Sequence, residues 1–363
     1  MSSPHEVLAI RAGARALERI RSHGMDPADV AMIPAAAGGP KGLALIGLDR
    51  AMFGEWLPRA KRERWLIGAS IGAWRMVAAS MPDAAQRLSL LARLYCDEQN
   101  YRAKPAPAEV SAICGQIIAQ LVGDDAGTLI ANANFRLAVL TVLGRGPIAR
   151  DYPGSIVGWG LAATANTVGR RHLAKFLHRG VFATDASRLP FFGNRFDAFR
   201  NEVVQLTEEN LRPALLASGS IPLILAGVGQ IPGAPLGTYW DGGIIDYHLA
   251  LPYGEVEGLV LYPHFADHVM PGWLDKYIPG RRADESALTN VVMVGPAREF
   301  IARLPGGKLP DRSDFRRYGA DSATRSRIWR TAVAESERLG EAFLRWCEKP
   351  DPAMVRSFAE RSH

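Results

Sequence analysis

Two short apolar runs, each passing through a glycine-rich loop into a helix-like stretch, constrain this chain more than any other feature. Val30 to Ala37 ends in Gly38-Gly39-Pro40-Lys41-Gly42, after which Leu43 to Phe53 reads as a buried helix. Trp65-Leu66-Ile67 runs into Gly68-Ala69-Ser70-Ile71-Gly72 and then a helix through Ala79 that ends near Pro82. A strand that passes directly into a helix must cross over before the chain pairs again. Two such units in succession therefore predict a mainly parallel sheet covered by helices, an α/β fold. Strand-like runs at Gly180 to Thr184, Glu202 to Leu206, Gly258 to Tyr262 and Asn290 to Val294 continue the sheet to about residue 295. The stretch from Ala84 to Leu143 reads as mainly helical, broken by Lys104-Pro105-Ala106-Pro107. Leu8, Ile10, Ala14, Leu17 and Ile20 give the N-terminus a helical stripe.

Beyond residue 295 the chain becomes basic, with Arg298, Arg303, Lys308, Arg312, Arg316 and Arg317 leading into a helix that carries Ile328, Ala332, Leu339, Phe343 and Trp346 on one face. The expected organisation is thus an α/β domain over 1–295 and a basic, helical C-terminal extension over 296–363. The formal charge of +6 favours anionic surfaces, whether phospholipid headgroups, nucleic acid or acidic substrates, without choosing among them. Three widely spaced cysteines, Cys96, Cys114 and Cys347, fit neither a disulfide framework nor a zinc site and suit a reducing compartment. Met1 to Ile10 lacks the apolar core of a secretory signal, so the expected location is cytoplasmic, with peripheral contact to an anionic membrane as the candidate association. Ala214 to Trp240 is uncharged and long enough to span a bilayer, but Pro222, Pro232 and Pro235 would leave backbone groups unpaired in lipid; it reads as strand and loop.

Gly68 to Gly72 fits G-x-S-x-G, in which small flanking residues permit the sharp strand-to-helix turn that exposes a serine. An ordinary serine in a tight turn fits the pentapeptide as well. The loop Gly38 to Gly42 offers closely spaced backbone N–H groups at a helix start, suited to a developing oxyanion. A nucleotide-binding P-loop is disfavoured, because Lys41 is followed by Gly42 instead of Ser or Thr and the glycine spacing is too short. A serine needs a base at neutral pH, and Asp241 in Tyr239-Trp240-Asp241-Gly242-Gly243 is the candidate. Asp-Gly is also a common turn signal.

Taken together, these segments resemble the patatin-like phospholipases. Ala37-Gly38-Gly39-Pro40-Lys41-Gly42 looks like the family's oxyanion loop, Gly68 to Gly72 like its nucleophile elbow, and Asp241-Gly242-Gly243 like its dyad aspartate. Val181-Phe182-Ala183-Thr184-Asp185 is similar to a family core strand, and Ala217-Ser218-Gly219-Ser220-Ile221-Pro222 to the stretch before the aspartate. The matches fall in family order over about residues 30–250. The resemblance implies a three-layer α/β/α hydrolase fold, a Ser70–Asp241 dyad without catalytic histidine, and an oxyanion hole at Gly38 and Gly39 to which Lys41 and Gly42 belong. It further implies hydrolysis of lipid acyl esters of the phospholipase A or lysophospholipase type, with no metal or organic cofactor. The chain departs from the family pattern in its leading helix, in Ala37 at a usual glycine, and in Asp246-Tyr247-His248 where Asn-Pro is expected, which bears on substrate.

Other histidines offer competing sites. His248 lies seven residues after Asp241 and suggests a triad that the family pattern lacks; His264 and His268 stand four apart, but beside Pro263 a helical metal pair is not expected. Phe191, Phe192 and Trp159 are candidates for an acyl channel or for simple core. The same acyl-enzyme would serve an acyltransferase, a thioesterase or a polyester depolymerase, and a non-catalytic lipid-binding protein is the alternative of a different class. Nucleic acid is not an expected partner.

Overall fold

The structure is a computed structural model that describes residues 4–102 and 104–360. The first three residues of the N-terminal stretch and the last three of the C-terminal section lie outside the described residues. Eleven strands form one sheet: β1 (Leu8–Ala12), β2 (Val30–Ala35), β3 (Arg64–Ala69), β4 (Phe135–Gly144), β5 (Leu177–Ala183), β6 (Asn201–Gln205), β7 (Val228–Gly229), β8 (Thr238–Asp241), β9 (Leu259–Pro263), β10 (Val291–Pro296) and β11 (Val355–Ser357). Their order is β11-β1-β10-β9-β2-β3-β4-β5-β6, with β8 joining β4 and β7 joining β8. The centre, β10-β9-β2-β3-β4, is parallel, whereas β1 and β5 pair antiparallel to β10 and β4. Helices flank this sheet in a three-layer α/β/α arrangement, as the two strand-loop-helix units require.

Three stretches fold differently from the sequence reading, the first being Ala214 to Gly219, which is the end of the Glu208–Gly219 helix and not strand or loop. Residues 8–12 are the strand β1 and the helix begins only at Ala14, because Gly13 separates the two: a Cβ there would come within 2.0 Å of the Leu288 carbonyl oxygen. Residues 135–144, expected as helix, are the longest strand of the sheet. From Leu137 the run Leu137-Ala138-Val139-Leu140 is buried and apolar on both faces since β4 is covered on both, so the alternation that marks a half-exposed strand is missing.

That strand sets the geometry of the site. β3 lies along β4 until Ala69 stands opposite Leu140, and β8 takes over the same edge in the opposite direction with Asp241 opposite Thr141. The end of β3 and the end of β8 therefore meet head to head, and the next residue after β3 is Ser70.

The section after residue 295 shares the main core. The Ser322–Glu348 helix buries Trp329, Leu339, Phe343 and Trp346 among the side chains that support β2 and β3. It crosses the Ile46–Ala51 helix so closely that a Cβ on Gly340 would sit 2.5 Å from the Gly47 carbonyl oxygen. Ser336 accepts the Gly47 N–H at 2.9 Å, and β11 closes the sheet edge beside β1. Of the basic residues after 295, Arg298, Arg303, Lys308 and, within the long helix, Arg330 pair with Asp267, Glu6, Asp311 and Asp97. Among the described residues no helix is long and apolar enough to cross a membrane.

Candidate active site

Ser70 occupies the turn between β3 and the Ile71–Ala79 helix with φ 56° and ψ −131°, a left-handed conformation that costs a non-glycine residue about 1–3 kcal/mol. The surroundings force it. A Cβ on Gly72 would lie 2.1 Å from the Ala35 carbonyl oxygen, and one on Gly68 would lie 2.5 Å from the Ala73 nitrogen, so the helix can abut β2 only with glycine at 72 and turn back on β3 only with glycine at 68. The Ser70 N–H donates to Ser218 Oγ at 2.8 Å, and the Ser218 hydroxyl donates to the Leu140 carbonyl at 2.7 Å, which fastens the turn to β4. Ser218 comes from the end of the Glu208–Gly219 helix, whose start is fixed by reciprocal hydrogen bonds between Thr207 and Asn210. The Ala217 to Pro222 stretch thus backs the serine turn, and its Ser220 carbonyl also accepts the Asp241 N–H at 2.8 Å.

The Ser70 hydroxyl donates to Asp241 Oδ2 at 2.8 Å. The other carboxylate oxygen accepts the Gly243 N–H at 2.7 Å, and Arg312 approaches Oδ2 no closer than 3.7 Å. Burial raises the Asp241 pKa above the ordinary carboxylate range, opposed by the charge of Arg312 and by the bonds from Ser70 and Gly243. Gly242 and Gly243 are both obligatory: a Cβ would meet the Leu140 carbonyl oxygen at 2.3 Å in the first case and Ala37 Cβ at 2.6 Å in the second.

The loop Gly38 to Gly42 lies across the same end of the sheet, its Ala37 N–H bonded to the Tyr247 carbonyl at 2.9 Å. Gly39 adopts φ 56° and opens a 3-10 turn over Gly39–Leu45. Among the described residues the buried N–H groups of Gly38 and Gly39 have no protein acceptor, a state that buried donors rarely tolerate without a ligand or water. Gly42 packs on the Ile71 side chain. Lys41 makes no ion pair among the described residues; its ammonium lies 5.3 Å over the Phe265 ring and its pKa is lowered by burial. Beneath, Asp49 and Arg75, both with fully buried side chains, form a two-point ion pair at 2.6 and 2.8 Å that ties the helix after this loop to the helix after Ser70.

A cavity of about 210 Å³ opens on Asp241 and Gly243. Its walls are mostly apolar, with Trp159, Ile221, Leu223, Ile244, Trp273 and Leu274, and Tyr247 and Arg312 also contribute. Ser70, 4% exposed, reaches this cavity only through its hydrogen bond to Asp241 and does not itself form the wall. Phe191 and Phe192 belong to the core and line no part of this cavity. Lys276 stands 4.6 Å over the Tyr247 ring and 5.1 Å over Trp273, pushed down to about 8 by burial and by the nearby charges of Lys41 and Arg312. Arg312 and Lys276 carry no local sequence pattern. Only the fold brings them to the site.

His248 is buried with its pKa held well below normal by burial and by His264 and His268. Its Nδ1 accepts the Met270 N–H at 3.1 Å, and no hydrogen bond joins the ring to Ser70 or Asp241. His264, pushed down to about 3 by burial, packs edge-on against it at 4.3 Å between ring centres, and its Nδ1 accepts the Ala266 N–H. Among the described residues no group of three or more His, Cys, Asp or Glu is arranged to hold a metal ion.

No protein-family model and no curated protein matches the chain. Among solved structures it is similar to VipD from Legionella pneumophila, at 12% sequence identity and a TM-score of 0.31, over 66% of this chain and 50% of that one. The chain thus spans half the length of that protein, and at this TM-score the likeness assigns neither family nor activity.

Proposed function

We propose that the protein is a serine-dependent hydrolase of lipid acyl esters, of the phospholipase A or lysophospholipase type, with Ser70 as nucleophile and Asp241 as base. The observation that carries this reading is the 2.8 Å hydrogen bond from a strained, buried serine to a carboxylate whose proton affinity is raised by burial. As Ser70 Oγ attacks the ester carbonyl carbon, Asp241 takes its proton, and the carbonyl oxygen becomes an oxyanion received by the N–H groups of Gly38 and Gly39. Collapse breaks the bond to the alcohol, which leaves with the proton from Asp241. Water, deprotonated by the same carboxylate, then attacks the acyl-enzyme and releases the fatty acid and free Ser70. The apolar cavity beside Asp241 suits the acyl chain, and Arg312 and Lys276 suit an anionic group near the ester.

Hydrolysis of a soluble nitrophenyl ester by purified variants tests the assignment. Asp241→Asn keeps the shape and removes the basic oxygen, and is expected to lower turnover by at least ~100-fold, whereas His248→Ala retains most activity. Activity is expected to fall on acidification through the raised Asp241 value, with no step set by a histidine. A folded Asp241→Asn protein working at the parent rate would overturn the reading.

A further inference from the structure

Among the described residues nine large apolar side chains are exposed, and eight of them fall in two segments that also contribute to the cavity wall: five lie in residues 152–168, three in residues 223–236, and the last is Tyr277. Scattered singly such residues would need no explanation, but their concentration does. The Ser155–Val168 helix carries no charged residue over 14 positions. It turns Trp159 and Ala163 into the cavity and leaves Val157 (66%) and Leu161 (52%) in solvent. Leu223, at φ 68°, belongs both to the cavity wall and to the exposed set, and Ile224 stands exposed beside it. The Gly227 N–H bonds Asp151 at 2.8 Å and joins this loop to the segment that leads into the helix. At the two ends of the helix in sequence, exposed Arg150, Arg171 and Lys175 form no ion pair among the described residues.

We propose that the 155–168 helix and the 221–224 loop are the face by which this protein seats on an anionic lipid surface. A bilayer is the occupant these features fit. The apolar patch is continuous with the mouth of an apolar cavity, so an acyl chain passes from membrane to Asp241 without crossing water, and the unpaired cations flank the helix where headgroup phosphates would lie. The basic section after residue 295 is a weaker candidate: Arg298, Arg303, Lys308 and Arg330 are engaged with acids of the same chain, and among the described residues the section carries none of the exposed large apolar side chains. The delivery of acyl chains rests on the hydrolase reading above; the seating itself does not.

The test is sedimentation of the Ser70→Ala protein with vesicles of phosphatidylcholine doped with phosphatidylglycerol, compared with the same protein carrying Val157→Glu and Leu161→Glu. The parent is expected to partition onto the vesicles and the double variant to lose at least ~10-fold of that partitioning, two exposed aliphatic side chains having been replaced by charges. In the Ser70 background, turnover of a soluble short-chain ester by the Val157→Glu/Leu161→Glu protein reports on folding, since neither side chain lines the cavity. Vesicle binding without any ester hydrolysis would sink the hydrolase reading and leave the docking face standing. Failure of the parent to sediment, equal sedimentation of the double variant, or a dimer in light scattering that the two glutamates dissociate would each overturn the docking face, the last by assigning it to a second copy.

Discussion

Ser70 and Asp241 touch, yet they are held by different foundations. Ser70 stands on β3 within the large hydrophobic cluster, and the helix behind it is pinned by the buried Asp49–Arg75 pair. The side beyond Asp241 rests on a second, much smaller cluster, in which Val142, Ile148, Trp240 and Ile244 pack with Ala162 and Trp159 of the 155–168 helix. The contrast shows where the molecule invests its rigidity. A serine held in a strained turn needs neighbours that cannot relax, while the roof over the cavity is thin, apolar and supported by few buried side chains, the kind of region that opens at lower free-energy cost.

The two buried carboxylates should break this comparison cleanly if it is wrong. Asp49→Asn leaves the fully buried Arg75 guanidinium without its counter-charge and is expected to cost ~3–5 kcal/mol in chemical denaturation. Asp241→Asn is expected to do the opposite. The folded carboxyl of Asp241 holds its proton more readily than the unfolded one, so its contribution to stability is present at low pH and is lost as pH rises through the raised value. At neutral pH the amide should therefore leave the melting temperature unchanged or raise it. A large drop in the melting temperature for Asp241→Asn would mean that the carboxylate is structural.

A smaller effect is expected on the loop between the two halves. Gly39→Val forces a β-branched residue to φ 56° with its Cβ 3.1 Å from Arg312 Nε, displacing the neighbouring N–H groups. Turnover should fall by ~100-fold or more with the fold retained, and an unchanged rate would remove this loop from the chemistry. The smallest effect concerns charge on the cavity side. Lys276 carries its proton below about 8 and loses it above, so the positive potential near Asp241 declines as pH rises through that value. Turnover is expected to decline by roughly two- to threefold over the same range, on the scale of one partly solvated charge, and Lys276→Met should flatten that limb of the profile.

Both glycine loops and Asp241 were legible because each is a local pattern with a steric reason: Gly72 must let helix meet β2, and Gly243 must clear Ala37. What joins them was not. β4 reads as helix, since Leu137, Leu140 and Leu143 recur at near-helical spacing and a strand buried on both faces shows no alternation, yet it is β4 that sets β3 and β8 end to end. The N-terminal strand likewise shares its apolar spacing with the helix that follows it, and sequence periodicity does not separate the two. Arg312 sits in a basic run that resembles any solvated charged segment, and nothing near it in sequence marks it as the cation facing Asp241. The exposed apolar helix was visible only as Trp159, because exposure is a property of the packed molecule.

The most direct measurement is intact-protein and peptide mass spectrometry after treatment with a fluorophosphonate, which forms a covalent bond to an activated serine and displaces fluoride. One adduct per chain, mapped to Ser70, absent from Ser70→Ala and strongly slowed in Asp241→Asn, is the predicted result. No adduct on the folded protein, or an adduct on another residue, would contradict the proposal that Ser70 and Asp241 form a working pair.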